Sequence, residues 1–255
     1  MNGQEGLHAG DAVVVTGAAQ GIGRAIALDL AQREIRLALW DIDEDGCART
    51  AAACRDRGVQ AIHTVVDMAD SDAVVSAADI ALKTFGSIFG LVSNAGIYPR
   101  ATILEATPYM WRSVLGVNLL GTVFAAKALV PTMIENKRGA IVNVASGRAL
   151  QGTPRGAHYA ASKAGIVSFT KSLALEMAPY GIRANCLIPG VTETAQPLAD
   201  TTLEELRARG ERKIPLGRIG QPEDLTGAIV FLLSEASAFM TGQSIAVNGG
   251  AIMLP

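Results

Sequence analysis

Hydrophobic positions along the chain form two alternating kinds of segment. Short, continuously apolar runs predict strands that are covered on both faces, and they lie at 12–16, 35–40, 61–66, 88–93, 140–146, 183–188 and 244–248. Segments rich in Ala and Leu with helical periodicity lie between them, at 22–33, 44–58, 70–85, 107–136, 158–180 and 222–234. This alternation predicts an α/β fold, with a parallel sheet that has helices on both faces.

One stretch of the chain interrupts the alternation. Residues 191–224 are polar, contain three prolines and include a short amphipathic patch, which is typical of an excursion over the sheet, such as a lid. Elsewhere the sequence contains no linker, low-complexity tract or internal repeat. We therefore expect a single domain over residues 1–255.

Composition restricts the partners and the compartment. Of the 255 residues, 49% are hydrophobic and 18% are charged, which is ample material for a large core. The formal net charge of −2 argues against nucleic acid or an anionic membrane as the main partner. The three cysteines have no metal-ligand spacing, so we expect reduced thiols and no metal site. "MNGQEGLHAGD" has neither a basic start nor an apolar run, and no spanning segment is predicted, so we expect a soluble, cytoplasmic protein.

A glycine-rich turn follows the first predicted strand. In "TGAAQGIGRAIALDL" (16–30), Gly17, Gly21 and Gly23 lie where the strand passes into a helix, with Gln20 and Ile22 between them. Glycine lets backbone N–H groups approach a ligand closely, and the helix N-terminus attracts a pyrophosphate. The alternative is a loop that only lets helix and strand pack. The position between a strand and a helix favours a nucleotide site.

Two acidic residues end the next two predicted strands. Asp41, followed by Ile42, would accept both ribose hydroxyls of an adenosine and would repel a 2′-phosphate. No arginine or lysine neighbours it, so NAD is favoured over NADP. The alternative is a helix cap for the helix that starts near Asp43. Asp67, followed by Met68, has the same two interpretations, a cap or an adenine contact.

Small residues end the fourth predicted strand in "SNAG" (93–96). Asn94, Ala95 and Gly96 would let a flat ring and its ribose lie against the backbone. All these groups fall at the carboxyl ends of strands, where open α/β sheets bind their ligands. Their coincidence strengthens the prediction of a nucleotide site.

Four further residues suggest chemistry. Tyr159 and Lys163 are four apart in "YAASK", so they share one face of a helix, and a nearby cation favours the phenolate and moves its pKa toward neutrality. Asn118 lies in an apolar helical run and Ser146 just past the fifth strand. Taken alone, Asn118 is more often a structural bridge and Ser146 a cap. Together the four supply a phenol, a cation, an amide and a hydroxyl.

At this point the sequence resembles the short-chain dehydrogenase/reductase family. The resemblance rests on "TGAAQGIG", "NAG", "YAASK", "PGVTET" (189–194), Asn118 and Ser146, and continues through "GQPEDLTGAIVFLLS" and "TGQSIAVNGG". It covers the chain from about residue 10 to the C-terminus. It implies a doubly wound, three-layer Rossmann fold with a seven-stranded parallel sheet, an NAD(P) cofactor and a homotetramer.

The resemblance also implies roles for individual residues. Tyr159 would be the general acid/base, Ser146 would hydrogen-bond the substrate oxygen, Lys163 would bind the nicotinamide ribose and tune the tyrosine, and Asn118 would hold a water. The nicotinamide end of the cofactor would be contacted by the segment that contains Pro189, Gly190, Thr192 and Thr194. Ser93 departs from the family pattern, which usually has a second Asn there, and we expect a local change in hydrogen bonding.

The function implied is an NAD-dependent oxidoreductase acting on a secondary alcohol or its ketone, such as a polyol, sugar or hydroxy acid. Two alternatives remain open: a 3-oxoacyl-[acyl-carrier-protein] reductase and a non-catalytic NAD-sensing scaffold. Arg148, together with Ser146 and Tyr159, is a candidate substrate contact. Arg100 and Arg155 follow other strand ends. Two interpretations remain open for Arg100, Arg148 and Arg155: they bind an anionic group of the substrate, or they are solvated loop residues or subunit contacts. His158 is expected to flank the site and not to act in it.

Overall fold

A seven-stranded parallel sheet forms the centre of the molecule. The computed structural model describes residues 6–199 and 201–253. The strands are β1 (Ala12–Thr16), β2 (Arg36–Asp41), β3 (Ala61–Val65), β4 (Gly90–Ser93), β5 (Gly139–Val144), β6 (Ile182–Pro189) and β7 (Ser244–Val247). Their order is β3-β2-β1-β4-β5-β6-β7, and every neighbouring pair is parallel. The predicted doubly wound α/β fold is confirmed.

Helices follow the strands in alternation. They are α1 (Gly21–Gln32), α2 (Glu44–Arg55), α3 (Ser71–Phe85), α4 (Pro108–Val114), α5 (Gly121–Glu135), α6 (Arg148–Gln151), α7 (Ala157–Met177), α8 (Ala195–Leu198), α9 (Leu203–Lys213) and α10 (Glu223–Leu233). A π-helical segment, Leu115–Leu120, joins α4 to α5. The predicted bounds are close to these, apart from the π-helical segment and the short helices α6 and α8.

The sheet separates two apolar layers, because successive residues of a strand point to opposite faces. Val13 and Val15 of β1 enter the layer that also contains side chains of α1, α2 and α10, whereas Val14 enters the layer formed with α3, α5 and α7. Trp40 of β2, the largest fully buried side chain, belongs to the second layer. Burial on both faces explains why the strands are continuously apolar in sequence.

The helical run Pro108–Glu135 is long and apolar enough, by length and composition, to cross a membrane, with a mean hydropathy of 1.7. Within it, Ala125, Leu129 and Met133 are buried against the sheet and α3. This side of the run is therefore part of the core, which accounts for its apolar composition.

The segment predicted to leave the alternation, residues 191–224, is anchored to the sheet edge. It contains α8 and α9, and its ends meet at the bridge between Thr192 and Gly220. A small apolar cluster of Leu206, Ile214 and Ile219 holds α9 down. The amphipathic patch seen in the sequence is thus α9, while a lid motion and the single-domain boundary remain predictions.

The sheet reverses its winding between β1 and β4, which are neighbours in space although they are far apart in sequence. Here the Thr16 hydroxyl accepts the backbone N–H groups of Asn94 and Ala95, both at 3.0 Å. In return the Asn94 side-chain amide donates to the carbonyls of Thr16 and Gly17 at 3.1 Å. We call these four hydrogen bonds the β1–β4 clasp.

Gly23 has a packing role in the structure, and its predicted contact with a cofactor stays a prediction. A Cβ on Gly23 would overlap the carbonyl oxygen of Gly17 and would lie 2.7 Å from the Asn94 side-chain nitrogen. Gly23 therefore faces the β1–β4 clasp, where its missing side chain lets α1 pack close to the end of β1.

We predict that Gly23→Ala lowers the free energy of unfolding by about 1–3 kcal/mol, because the added methyl overpacks the clasp. The matched control is Gly227→Ala in α10, where a Cβ would meet no atom within 4 Å. There the substitution should stabilise the protein by about 0.5–1 kcal/mol through helix propensity. Urea unfolding of both variants measures the difference, and equal stability of Gly23→Ala and wild type would contradict the packing role.

Candidate active site

A cleft of about 980 Å³ opens over the carboxyl ends of the strands. It collects nearly all the residues predicted for the cofactor: Gly17, Gln20, Gly21, Ile22, Asp41, Ile42, Asp67, Met68, Asn94, Ala95, Gly96, Tyr159, Lys163, Pro189, Gly190, Thr192 and Thr194. Ser146, Arg100 and Arg148 also line it, whereas Gly23, Asn118 and Arg155 do not. Arg155 is exposed on the loop before α7, which favours the interpretation of a solvated loop or subunit-contact residue.

The glycine turn has the features that a pyrophosphate needs. Gly17 (φ 66°) and Gly21 (φ 54°) adopt left-handed backbone conformations that disfavour other residues. Among the described residues no side chain caps the start of α1, and Gln20 at the N-cap position makes no capping hydrogen bond. The first N–H groups of α1 are therefore available to a ligand, as a dinucleotide phosphate requires.

Asp41 is held at the rim of the cleft by the backbone. Its carboxylate accepts the N–H of Ala19 at 2.8 Å and that of Asp43 at 3.0 Å. The cap of α2 is Asp43 itself, which accepts the N–H of Gly46, so the interpretation of Asp41 as that cap is wrong. Each Asp41 oxygen keeps a second lone pair, which a ribose hydroxyl can use.

Asp67 has a comparable place after β3. It accepts the N–H of Ala69 at 2.9 Å, while Asp70 caps α3 by accepting the N–H groups of Asp72 and Ala73. Asp67 therefore stabilises a turn and is not the cap of the helix.

At the nicotinamide end of the predicted site, the segment after β6 borders the glycine turn. A Cβ on Gly21 would lie 3.1 Å from the methyl group of Thr194, so the two segments are in close contact. The Thr192 hydroxyl donates to the carbonyl of Gly190 at 3.3 Å and is buried.

Tyr159 and Lys163 are both buried at the base of the cleft, with 6% and 4% of their surfaces exposed. The Lys163 ammonium donates to the carbonyl of Val144 at 2.8 Å and lies 5.9 Å from the centre of the Tyr159 ring. Burial lowers the pKa of Lys163 to about 8. The lysine is therefore close to the tyrosine, in surroundings that disfavour its charged form.

The pKa of Tyr159 reflects several opposing groups. Burial raises it, a hydrogen bond with the Ser146 side chain lowers it, Tyr98 raises it, and the charges of Arg148 and Arg100 lower it. The expectation that Lys163 lowers this pKa stays a prediction. Lys163 directs its ammonium to a strand carbonyl, and the two arginines supply the positive charge that acts on the phenol.

Asn118 lies in the π-helical segment, behind the cleft wall. Its side-chain oxygen accepts the N–H of Ile97 at 2.8 Å, and its nitrogen donates to the Ile97 carbonyl and to the Ser162 hydroxyl, both at 3.0 Å. Both amide hydrogens are used, so the structure favours the bridging interpretation over a side-chain N–H that holds a water. The π-turn brings this amide to the loop after β4.

Three features of neighbouring residues bear on the sequence analysis. The buried Ser93 hydroxyl has no hydrogen-bond partner among the described residues, and a change relative to the family pattern stays a prediction. His158 is fully buried beside Trp111, and its Nδ1 accepts the N–H of Tyr159 at 2.9 Å, so it supports the start of α7. In the described part of the chain, no group of three or more His, Cys, Asp or Glu could hold a metal ion.

Tyr98 is a site residue that the sequence did not reveal. Its ring stacks on the ring of Tyr159, with centroids 4.1 Å apart and planes 10° apart. The guanidinium carbon of Arg100 lies over the Tyr98 ring, 4.8 Å from its centroid, and the Tyr98 hydroxyl contacts that of Thr153 at 3.3 Å. The loop after β4 has no periodicity, so only its aromatic residue hinted at this role.

Comparison with known proteins agrees with this geometry. A family model described as enoyl-(acyl carrier protein) reductase matches residues 17–251. The chain is 38% identical to 2-(S)-hydroxypropyl-CoM dehydrogenase 3 of Xanthobacter autotrophicus, with 94% of this chain and 96% of that protein covered. It is 39% identical to cis-4-hydroxycyclohexanecarboxylate dehydrogenase of Sinomonas cyclohexanicum, with 93% and 94% covered.

Solved structures are equally similar. A putative short-chain alcohol dehydrogenase from Sinorhizobium meliloti superposes with a TM-score of 0.91 at 34% identity, covering 95% of this chain and 96% of that one. A 3-oxoacyl-[acyl-carrier protein] reductase with bound NAD from Brucella melitensis gives a TM-score of 0.88 at 37% identity, covering 97% and 93%. The chain belongs to the short-chain dehydrogenase/reductase family, and it is an oxidoreductase that acts on CH–OH groups.

We predict that Tyr98→Ala lowers stability and turnover, because the stacked ring both packs against Tyr159 and limits its movement. The stacking alone contributes about 0.5–1.5 kcal/mol. Tyr98→Phe is the matched control, since it keeps the ring and loses only the contact with Thr153. Thermal unfolding and kcat of both variants provide the measurement. A Tyr98→Ala protein with wild-type kcat would show that the stack does not position Tyr159.

Proposed function

We propose that the protein is an NAD-dependent oxidoreductase that transfers a hydride between the nicotinamide and a secondary alcohol or ketone. The observation that supports this most directly is that Tyr159, Ser146 and Lys163 line the same cleft as the glycine turn. A polyol, a sugar and a hydroxy acid all have the required group. The carboxylate named for the Sinomonas relative's substrate favours a hydroxy acid.

The proposed roles are those that the family resemblance implies, and the positions of the side chains are compatible with them. In oxidation, the Tyr159 oxygen takes the proton of the substrate hydroxyl, while Ser146 holds the same substrate oxygen by a hydrogen bond. Lys163 supports the ribose beside Tyr159, and Asn118 fixes the Ile97 backbone behind them. A bound nicotinamide supplies the hydride acceptor or donor, which no side chain of the protein provides.

The choice of NAD rests on Asp41. Its carboxylate lies at the rim of the cleft after β2, and backbone N–H groups hold it in place. A ribose hydroxyl can donate to its remaining lone pairs, whereas a 2′-phosphate there would face a like charge. The residues that follow, Ile42 and Asp43, add no positive charge.

The two alternative functions have less support. A solved reductase of 3-oxoacyl-[acyl-carrier protein] contains bound NAD, so NAD binding alone does not separate that activity from a dehydrogenase. The cations that line the cleft on α9, Arg209 and Lys213, favour a small anionic substrate instead. A non-catalytic NAD sensor would have no need for a buried phenol paired with Ser146 and placed beside Lys163.

A homotetramer is part of the proposal. The helical runs predicted at 107–136 and 158–180 have large side chains exposed: Tyr109 and Leu120 on the first, Leu175 and Tyr180 on the second. Such surfaces are commonly buried by symmetric copies of the same chain.

A cytoplasmic location is likewise proposed from composition alone.

We predict that Tyr159→Phe reduces turnover by about a hundredfold or more and leaves NAD affinity nearly unchanged, because only the proton carrier is lost. Lys163→Ala should weaken both turnover and NAD binding. Lys163→Arg should not restore them fully, since a planar guanidinium does not replace a compact ammonium in the space beside Val144.

Rate, NAD affinity and thermal midpoint should be measured together on these variants. If the two residues are only structural, the thermal midpoint will change while the rate of the folded fraction stays intact. In the wild type, oxidation should accelerate as pH rises, because the buried phenol must lose its proton to act as a base. Wild-type turnover by Tyr159→Phe would refute the mechanism.

We also predict that NAD binds about tenfold or more tightly than NADP, a difference of about 1.4 kcal/mol. Replacing Asp41 by Ala and Asp43 by Arg should shift the preference toward NADP, since the repulsive carboxylate is removed and a cation is added. Titration of each dinucleotide provides the test. The single variant Asp43→Ala, which removes the cap of α2 and keeps Asp41, is the control and should retain NAD preference. Tighter binding of NADP by the wild type would refute the role of Asp41.

A further inference from the structure

One face of α9 forms part of the cleft wall. Leu206, Arg209, Gly210, Lys213 and Ile214 all line the cleft, at the spacing of a single helical face. Two of them, Leu206 and Ile214, are buried and anchor the helix. The two cations, Arg209 and Lys213, are exposed to the solvent that fills the cleft.

The orientation of α9 is fixed by close packing. A Cβ on Gly210 would lie 2.7 Å from the backbone nitrogen of Ile219, so the helix lies directly on that segment. At its C-terminal end Ile214 packs against Gly249. Because these contacts and the buried Leu206 fix the helix, Arg209 and Lys213 face the cleft as a consequence of the fold.

The other cations of α9 serve different purposes. Arg207 pairs with Glu193, with a nitrogen–oxygen distance of 3.0 Å, and the same carboxylate accepts the side-chain amide of Gln221. Arg212 is exposed and does not line the cleft. The helix therefore has two cations that face the cleft, Arg209 and Lys213. Arg212 is a cation of the same helix that does not line the cleft, so it can serve as a control.

Charge is unevenly distributed along the cleft. Among the described residues that line it, the acidic side chains are Asp41 and Asp67, which follow β2 and β3 at the predicted adenosine end. The cations Arg100 and Arg148 lie near Tyr159, and Arg209 and Lys213 lie on α9. Positive charge therefore surrounds the substrate end, where the described lining residues include no carboxylate.

We propose that the substrate contains an anionic group, a carboxylate, sulfonate or phosphate, which binds between Arg209 and Lys213. The inference rests on the proposed dehydrogenase function and specifies its substrate class. Two cations four residues apart on a helix repel each other, and an anion between them removes that repulsion. A guanidinium can bind two oxygens of the anion while the ammonium supplies a point charge.

Arg100 and Arg148 are less suited to this task. Arg100 lies over the Tyr98 ring, and the backbone N–H of Arg148 donates to the Ser146 hydroxyl. Both charges act on the Tyr159 phenol. An anion bound there would oppose the loss of the phenolic proton, whereas an anion on α9 leaves the phenol with its two arginines.

The test uses pairs of secondary alcohols that differ only in charge. NAD-saturated protein is assayed with 3-hydroxybutanoate, 4-hydroxypentanoate and 5-hydroxyhexanoate, and with the corresponding neutral primary amides. The variants are Arg209→Gln, Lys213→Gln, the double variant, and Arg212→Gln as the matched control. Binding of the unreactive anions pentanoate and butanesulfonate to the same proteins is measured by calorimetry.

We expect the wild type to prefer at least one acid over its amide by about tenfold or more in kcat/KM. In the double variant this preference should fall to about one, through KM, with the activity toward the amide unchanged. Arg212→Gln should behave as wild type. Equal activity of the wild type toward acid and amide, or a preference that survives in the double variant, would overturn the proposal while leaving the dehydrogenase function intact.

Failure of the proposed function gives a different result. In that case none of the alcohols reduces NAD, although NAD itself binds. Calorimetry then decides the anion site separately: binding of pentanoate or butanesulfonate that is lost in the double variant and kept in Arg212→Gln supports it. Absence of binding to the wild type overturns it.

Discussion

The β1–β4 clasp is the constraint on which the cleft depends. Four hydrogen bonds between Thr16, Gly17, Asn94 and Ala95 join two strands that are distant in sequence, at the point where the winding of the sheet reverses. Because the clasp uses the polar groups at the ends of both strands, the backbone leaves the sheet there and a crevice opens between the two halves. Gly23 packs against the clasp, so the clasp also determines where α1 and its uncapped N-terminus lie.

The other half of the site is organised by burial. Lys163 and Tyr159 lie below the cleft surface, where burial disfavours the charged form of each and shifts their pKa values in opposite directions. Backbone and side-chain partners hold them: Val144 for the lysine, Ser146 and the Tyr98 ring for the tyrosine. The phenol is therefore kept protonated in a fixed place, and the nearby arginines oppose the effect of burial. The pKa of the Tyr159 phenol is therefore set by several surrounding groups together and not by one neighbour.

Much of this arrangement could be predicted from the sequence, for identifiable reasons. The sequence predicts the strand bounds closely because each strand is buried on both faces and is therefore continuously apolar. The parallel arrangement then brings residues such as Asp41 and Asn94 to one edge of the sheet. The sequence does not reveal the π-helical segment, because one extra residue in a helical turn does not change the hydrophobic pattern of a run that is apolar throughout. Tyr98 was missed because a loop residue has no periodicity to indicate its partner. The spacing of Arg209 and Lys213 was visible in the sequence, but which face of α9 met the cleft depended on packing against Ile219 and Gly249.

The π-helical segment Leu115–Leu120 has a consequence for changes in chain length. Its turn contains more residues than a regular α-helical turn, so the run Pro108–Glu135 consists of two helices joined by a wide turn. Deletion of one residue there would let the run close into uniform α-helix and would nearly keep the phase of α4 and α5, because the wide turn takes up its extra residue without a further advance of about 100° around the axis. The wide turn that brings the Asn118 amide to Ile97 would be lost, while the apolar faces of α4 and α5 would still meet their neighbours. The fold should therefore tolerate a chain shortened by one residue here, and the loop after β4 would lose its anchor.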